Sequence, residues 1–390
     1  MTSYGFLSTY PPTQCGLATF SAALLKALTV PDVGSVSATK AGVVRVVDEP
    51  QAAVYQNVVT QLVNGSPTGP GNAARALNRF DVALVQHEYG IYGGRDGEDV
   101  LRVLDELTVP AIVVLHTVLT APTPHQRQVL ERLVDSAAAV VVMSDVAAGR
   151  LKDLYLVDAA KVSVIPHGAL GDRRLSPAAS FTPFAPPVRT RPRPTVLTWG
   201  LIGPGKGIEW AIDAFAELAD LDPAPRYLIA GQTHPKVLAR EGEAYRDSLR
   251  ARAEALGISE AVEFDPGYRS AEALLALVRQ ADVVLLPYDS TDQATSGVLI
   301  EAVAARRPVV ATRFPHAQEL LAGGAGLLVP QKDASAMSLA LRRILTEPGL
   351  AAAMSAASAA LAPALEWSAV ADAYRRLAAE VIGTRTEVAA

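Results

Sequence analysis

The stretch TVLTWGLIGPGKGIEWAIDAFAELA, residues 195–219, reads as a buried strand, a glycine loop and an amphipathic helix in immediate succession. Residues 195–199 form a short apolar run of the kind that suits a central parallel strand. Gly200, Gly203, Gly205 and Gly207 then free the backbone around a single cation, Lys206, and apolar residues return at helical spacing over 207–219. Strand, turn and helix in this order are the half-unit of a parallel α/β sheet.

The same alternation continues on both sides. Towards the C-terminus, strands are expected at 227–230, 262–264, 283–286, 308–311 and 326–329, with helices at 244–256, 271–279 and 296–304. Towards the N-terminus, strands are expected at 6–8, 82–85, 111–115, 139–142 and 162–165, with helices at 19–28, 100–107, 125–134 and 145–154. Between the two series Pro177, Pro183, Pro186, Pro187, Pro192 and Pro194 exclude both helix and central strand. The chain therefore divides into two α/β, Rossmann-like domains. The first spans 1–170, a proline-rich linker covers 171–194, the second spans 195–365, and a helix over 366–390 returns to the first domain.

Composition agrees with two domains. A chain of 390 residues, 50% of them hydrophobic, exceeds the size at which one core keeps growing. A net charge of −5 with 19% charged residues argues against nucleic-acid binding, which calls for a basic face. Cys15 is the one cysteine, so no internal disulfide forms and no cysteine-rich zinc site exists, as suits a reducing cytoplasm. No apolar run approaches the roughly 20 residues that cross a bilayer, and the first residues lack a basic segment followed by an apolar one, so neither a membrane span nor a leader is expected. Oligomeric state is unreadable.

In open parallel sheets ligands bind beyond the C-terminal ends of the strands, and where two such sheets face each other the cleft between them is the natural site. The loops there are unusual. Residues 10–16 end in Gly16 just before a helix, a turn that aims backbone N–H groups at an anion. Gln86, His87, Glu88 and Tyr89 crowd together after one strand, followed closely by Gly90, Tyr92, Gly93 and Gly94. His116 ends another strand, and His167 with Gly168 ends the last one of the first domain.

In the second domain Lys206 can hold a phosphate as a point charge, although no Ser or Thr follows it as in a Walker loop. His234 follows a further strand. Within residues 286–302, Ser296 and Gly297 open a helix whose second turn carries Glu301. A carboxylate there can accept two ribose hydroxyls, or it can pair with Arg306 or Arg307.

Taken in order, these segments resemble the retaining family four, or group 1, glycosyltransferases of GT-B fold. The resemblance rests on the glycine loop before the first helix, His116 at its strand end, Ile165-Pro166-His167-Gly168, the Gly-x-x-x-x-x-Lys-Gly loop ending at Gly207, and the helix bearing Glu301. It implies a hexosyltransferase acting on a nucleoside diphosphate sugar and a hydroxyl acceptor. Gly16, Gly200, Gly205, Lys206, Thr295, Ser296, Gly297 and Glu301 would then hold the donor. His116, Lys206 and Gln293 would serve at the reacting centre, with Lys206 neutralising the diphosphate and His116 contacting the sugar. Gln86, His87, Glu88, Tyr89, His167 and His234 are the candidates to contact acceptor or sugar.

In this reading the leaving phosphate itself takes the acceptor proton, so no carboxylate pair is required. Two positions depart from the family's pattern: Gln293 stands where a glutamate is usual, and Leu201 where an arginine is common. Arg173, Arg174 and Arg269 are candidates to replace that arginine. The runs 86–94, 116–119 and 231–235 resemble a bacterial subgroup concerned with mannose, which points to GDP-mannose.

No cofactor or metal is expected. Asp220 and Asp222 form an Asp-x-Asp pattern, but they precede Pro223 at a helix end, where an exposed turn is the better reading. A sugar-nucleotide 2-epimerase would need acid and base groups in the cleft, for which His87, Glu88 and His234 would have to serve. A UDP-sugar glucosyltransferase or a non-catalytic nucleotide-sugar-binding subunit would share the same fold.

Overall fold

The structure is a computed structural model that describes residues 2–30, 39–52, 55–171 and 193–388. It consists of two compact units, Met1–Gly168 with Trp367–Ala390 and, between them in sequence, Ala169–Glu366.

The first unit carries a parallel seven-stranded sheet of β1 (Tyr4–Ser8), β2 (Ala41–Val47), β3 (Val58–Val63), β4 (Val82–His87), β5 (Ala111–Leu115), β6 (Ala139–Val142) and β7 (Val162–Val164). Its spatial order is β3-β2-β1-β4-β5-β6-β7. The central strands β1, β4, β5 and β6 are buried along their whole length, which is why they read as unbroken apolar runs. The strands β2 and β3 and the helix Gly69–Leu77 are additions to the expected pattern. In β2 the apolar run is interrupted by Arg45, which the fold nevertheless buries, and β3 is an edge strand of mixed composition that exposes Val59.

The helix Gly16–Thr29 buries Phe20, Ser21, Leu24, Leu25 and Leu28, residues spaced along one stripe. It packs against the C-terminal helix Trp367–Val388, whose Val370, Ala371, Tyr374 and Leu377 join the same core. At roughly 1.5–3 kcal/mol for each large apolar side chain taken out of water, this stripe is what ties the end of the chain to its beginning. Arg375 adds polar attachment, donating to the carbonyls of Ala27 and Leu28 in the last turn of the partner helix.

The second unit carries a parallel six-stranded sheet of β8 (Thr195–Trp199), β9 (Arg226–Ala230), β10 (Val262–Asp265), β11 (Val283–Leu286), β12 (Val309–Thr312) and β13 (Gly326–Val329). The order β10-β9-β8-β11-β12-β13 places the switch in strand order between β8 and β11, the two strands whose C-terminal loops carry Lys206 and the segment leading to Glu301. Both faces are covered. Leu197, Leu228, Val284, Leu286 and Val309 pack on one side with the helix Gly297–Ala304, and Val196, Tyr227, Ile229, Val283 and Leu285 pack on the other with the helix Ile208–Ala216. No single described helix is long and apolar enough to cross a membrane.

Candidate active site

In the second unit the glycine loop leaves β8 at Trp199 and returns at Gly207, which caps the helix Ile208–Ala216 in the left-handed conformation, φ 65°. A Cβ on Gly207 would stand 1.8 Å from the Pro287 carbonyl oxygen, so glycine is obligatory. Gly231, at φ 134°, brings the loop after β9 against Gly200, and a Cβ there would meet the Gly200 carbonyl oxygen at 1.9 Å. Gly200 N donates to Ala230 O, Ile202 N to Gln232 O and His234 N to Ile202 O, which stitches the two loops together.

Lys206 sits with its Nζ 4.5 Å from the centre of the Tyr288 ring, and Tyr288 stacks on Phe314. Burial holds the lysine below its ordinary pKa. Glu301 lies in the helix Gly297–Ala304 and accepts a hydrogen bond from Trp199 Nε1 at 3.0 Å. Burial raises its carboxyl from 4.5 to about 7, against the opposing effect of the indole donor. The alternative partner Arg307 directs its guanidinium at the carbonyls of Arg279, Ala281 and Ala305. Lys206 and Glu301 are thus two ionisable groups held against their charged forms by desolvation, the condition that an incoming ligand of matching charge or polarity relieves.

Ser296 caps the Glu301 helix, its hydroxyl accepting from Leu299 N. Its own N–H donates to the Nδ1 of His316, a buried histidine 20 residues on. His316 escaped the sequence reading because it lies in a helix after β12, with no local signal linking it to Ser296. Thr295 is half-buried beside this cap. Gln293 turns its amide on its own loop, donating to the Thr295 carbonyl at 3.1 Å, while its main-chain carbonyl accepts from His316 N. Of the cations considered as substitutes for an arginine at Leu201, Arg269 is engaged by Asp265, and Arg173 and Arg174 lie outside the described residues. Asp220 accepts both Nη groups of Arg342 at 2.7 and 2.9 Å.

In the first unit the loop after β1 leads to the helix Gly16–Thr29, where Cys15 Sγ caps Ala18 N. A Cβ on Gly16 would find nothing within 4 Å, so local packing does not require glycine here and the space before the helix start is open. The loop is held from below by Arg45, which sequence reasoning missed. Its Nε donates to Tyr10 O, its Nη2 to Thr13 Oγ1 and its Nη1 to Gln51 Oε1, and its guanidinium stacks on Tyr55 at 4.8 Å. The register would have placed it, since β2 pairs Arg45 with Ser8 at the end of β1.

At the ends of β4 and β5, Gln86 Oε1 lies 2.7 Å from His116 Nε2. An amide oxygen only accepts, so the imidazole carries its proton on Nε2. Burial, then the neighbouring His167 and His87, lower His116 to about 3, so it is neutral at physiological pH. Tyr92 donates to the Gln86 carbonyl at 2.6 Å and fixes that strand end. His116 and His167 both pack on the edge of Phe20, and Trp367 closes the same cluster. His167 donates from Nδ1 to Gly168 O, and burial lowers it to about 4.

Glu88 accepts from Thr117 Oγ1 and from Tyr89 N, and Tyr89 donates through its hydroxyl to Gln126 O. Gln86 is wholly buried and is spent on His116 instead of an acceptor, and His87 is a second correction to the expected acceptor contacts. It is wholly buried, packs edge-on against Tyr89 at 4.9 Å, and is lowered to about 4 by burial, so it presents no surface to a substrate. Its strand position explains this, because side chains alternate along β4 and His87 falls on the opposite face from Gln86. The structure therefore brings together Gln86, His116 and His167 in one unit, and Lys206, His234, Ser296 and Glu301 at the strand ends of the other.

Comparison with known proteins bears on the family and the fold. Residues 184–360 match the family model described as glycosyl transferases group 1. The D-inositol 3-phosphate glycosyltransferase of Kineococcus radiotolerans is 30% identical over 307 residues, covering 70% of this chain and 67% of that protein. The enzyme of the same name from Segniliparus rotundus is 30% identical over 284 residues, covering 69% and 61%. The chain thus spans about two thirds of the length of these relatives. Among solved structures, Anabaena Alr3699/HepE in complex with UDP superposes with a TM-score of 0.72 at 16% identity, covering 97% of this chain and 100% of that one. Sucrose-phosphate synthase of Thermosynechococcus elongatus superposes with a TM-score of 0.70 at 17% identity, covering 98% and 100%. At such identities these two speak for the fold alone, GT-B, whereas the sequence relatives carry the family: the chain belongs to the group 1 glycosyltransferases.

Proposed function

We propose that this glycosyltransferase moves a hexosyl group from a nucleoside diphosphate sugar to a hydroxyl acceptor, with retention at the anomeric carbon and without a metal ion, and that its donor is GDP-mannose. The observation that carries the reading is the pairing at the β8/β11 switch. Lys206 lies half-buried over Tyr288 in a loop that closes on the obligatory Gly207, and Glu301 stands on the helix that Ser296 caps. A diphosphate beside Lys206 would restore the charge that burial disfavours, and a ribose would give the Glu301 carboxylate two hydroxyl donors.

In the transfer step the bond from the acceptor oxygen to the anomeric carbon forms on the face from which the phosphate departs. The acceptor proton passes to the departing phosphate oxygen, and the sugar carries oxocarbenium character between the two events. Lys206 stabilises the charge that develops on the leaving group, the term that dominates such reactions. His116, neutral and held by Gln86, offers a polar group to the sugar without adding a second positive charge near a cationic centre.

The mannose assignment rests on the runs at 86–94, 116–119 and 231–235. A UDP-sugar donor is the second reading, favoured by the HepE structures in complex with UDP and with UDP-glucose. The named relatives favour a polyol or its phosphate as acceptor. The deciding experiment is a thermal-shift panel of GDP, UDP, ADP and their sugar conjugates, since a ligand of the folded state alone raises Tm. A shift with GDP and GDP-mannose supports the proposal, and a shift with uridine nucleotides alone replaces the donor. No shift with any of them defeats the transferase reading. EDTA is expected to leave turnover unchanged, and loss of activity on chelation would refute metal independence.

A further inference from the structure

A cavity of about 230 Å³ opens beside the glycine loop of the second unit. Its lining combines apolar Leu201, Pro204 and Val237 with three cations, Lys206, Lys236 and Arg240, and includes no acidic side chain. Lys206 comes from the glycine loop, whereas Lys236 and Arg240 come from the helix Pro235–Glu241 that follows β9. The two segments are brought together by the isolated bridge between Ile202 and Thr233 and by the hydrogen bond from His234 N to Ile202 O.

Cations converging on one cavity repel one another, and the arrangement relaxes when a multiply charged anion enters. His234, at the rim, registers the same field: burial first, then Lys236 and Lys206, hold its imidazole below the ordinary value. Arg240 is tied to Glu241 by an exposed ion pair, the kind that contributes little and exchanges readily for a stronger partner. Within the glycine loop, residues 200–207, Lys206 is the one cation.

We propose that Lys236 and Arg240 are phosphate-binding residues which complete, with Lys206, the site for the departing diphosphate. The assignment rests on the transfer reaction proposed above and extends it to a segment outside the glycine loop. The ligand chemistry is that of a phosphate group bearing two or more negative charges. That group belongs either to the nucleoside diphosphate or to a phosphorylated acceptor, and we assign it to the former.

The test is calorimetric titration of the full chain with GDP and UDP, with the corresponding nucleosides, and with inorganic phosphate. The proteins compared are the wild type, Lys236→Ala/Arg240→Ala, and Lys236→Arg/Arg240→Lys. The double alanine variant is expected to bind the nucleoside diphosphate at least 10-fold more weakly, with a shallower dependence on salt. Its nucleoside affinity and melting temperature should be unchanged, and the charge-preserving variant should recover to within about threefold. Diphosphate affinity within twofold of wild type in the double alanine variant overturns the proposal while leaving the transferase reading intact. Loss of inorganic phosphate binding with diphosphate affinity unchanged overturns the assignment to the donor and directs the site to a phosphorylated acceptor. A wild-type chain that binds no nucleoside diphosphate defeats the function reading, and this one falls with it.

Discussion

The two units treat their polar groups in opposite ways. In the first, several polar side chains near the strand ends are paired: Gln86 with His116, Glu88 with Thr117, and Arg45 with the Tyr10 carbonyl, Thr13 and Gln51, while Gln86 Nε2 and both ring nitrogens of His87 are buried without a partner. Its buried histidines are neutral, with His116 near 3 and His87 and His167 near 4. In the second, Lys206 and Glu301 are half-buried without an ion-pair partner, and each is displaced towards its uncharged form by desolvation. Paired side chains fix shape, because each partner restrains the next. A desolvated group without a counter-charge stores free energy that a ligand releases on arrival. The second unit is therefore organised to bind, and the first to position.

The largest effect expected from this contrast is at Lys206. Lys206→Ala should lower kcat/KM by about 100–1000-fold, the usual cost of removing a group that stabilises leaving-group charge, with circular dichroism and Tm near wild type. Turnover within threefold of wild type would strike Lys206 from the mechanism and with it the idea that desolvated groups mark the binding unit.

Glu301 comes next. Glu301→Ala should weaken nucleotide binding about 10–100-fold in calorimetry, the loss of charge-assisted hydrogen bonds worth about 1.5–3 kcal/mol. Its pKa gives an independent check. Because the folded value, about 7, lies above the ordinary 4.5, the folded chain holds more protons than the unfolded one between these pH values. Stability is thus lost as pH rises through that window. Glu301→Gln, which can still accept from Trp199, should remove that slope and be more stable than wild type at pH 8 by on the order of 3 kcal/mol, with no gain at pH 4. An equal slope in the two proteins would show that Glu301 is already ionised and is not poised as described.

In the first unit the effects should be smaller and of a different kind. Gln86→Leu removes the acceptor that sets the His116 tautomer, and should lower kcat about 10-fold with little change in donor affinity. A change in KM alone would make Gln86 a binding residue instead. Arg45→Ala should lower stability by about 1–3 kcal/mol through the loop at 10–16, with Arg45→Lys intermediate, since a lysine cannot make the three directed bonds of the guanidinium. Unchanged stability in both would remove the loop's support from Arg45.

How far each of these groups was legible in the sequence follows from how its environment is assembled. Lys206 and Glu301 lie in single strand–loop–helix segments, where glycine spacing and a helix start announce them locally. The strands β1, β4, β5, β8 and β11 announce themselves because burial on both faces forces an unbroken apolar run. The strand β2 does not, because Arg45 interrupts its run and is reconciled with burial only by partners from 10–13 and 51. His316, Lys236 and Arg240 were equally silent, since each reaches its place through the pairing of distant loops. His87 misled because its neighbours in sequence suggested a cluster, whereas the alternation of a strand sends it to the other face.

The three hydrogen bonds between the loops at 200–202 and 230–234, with the glycine contact that permits them, also bear on rates. They prolong the β8–β9 ladder beyond the sheet, so the wall of the cavity is an outgrowth of sheet and not a hanging loop. Its conformational entropy is surrendered once, when the unit folds, and is not charged again to each arriving anion. Association at this wall should then run at the speed of an electrostatically guided encounter, with no closing motion to wait for, and residence time alone should vary as its cations are changed.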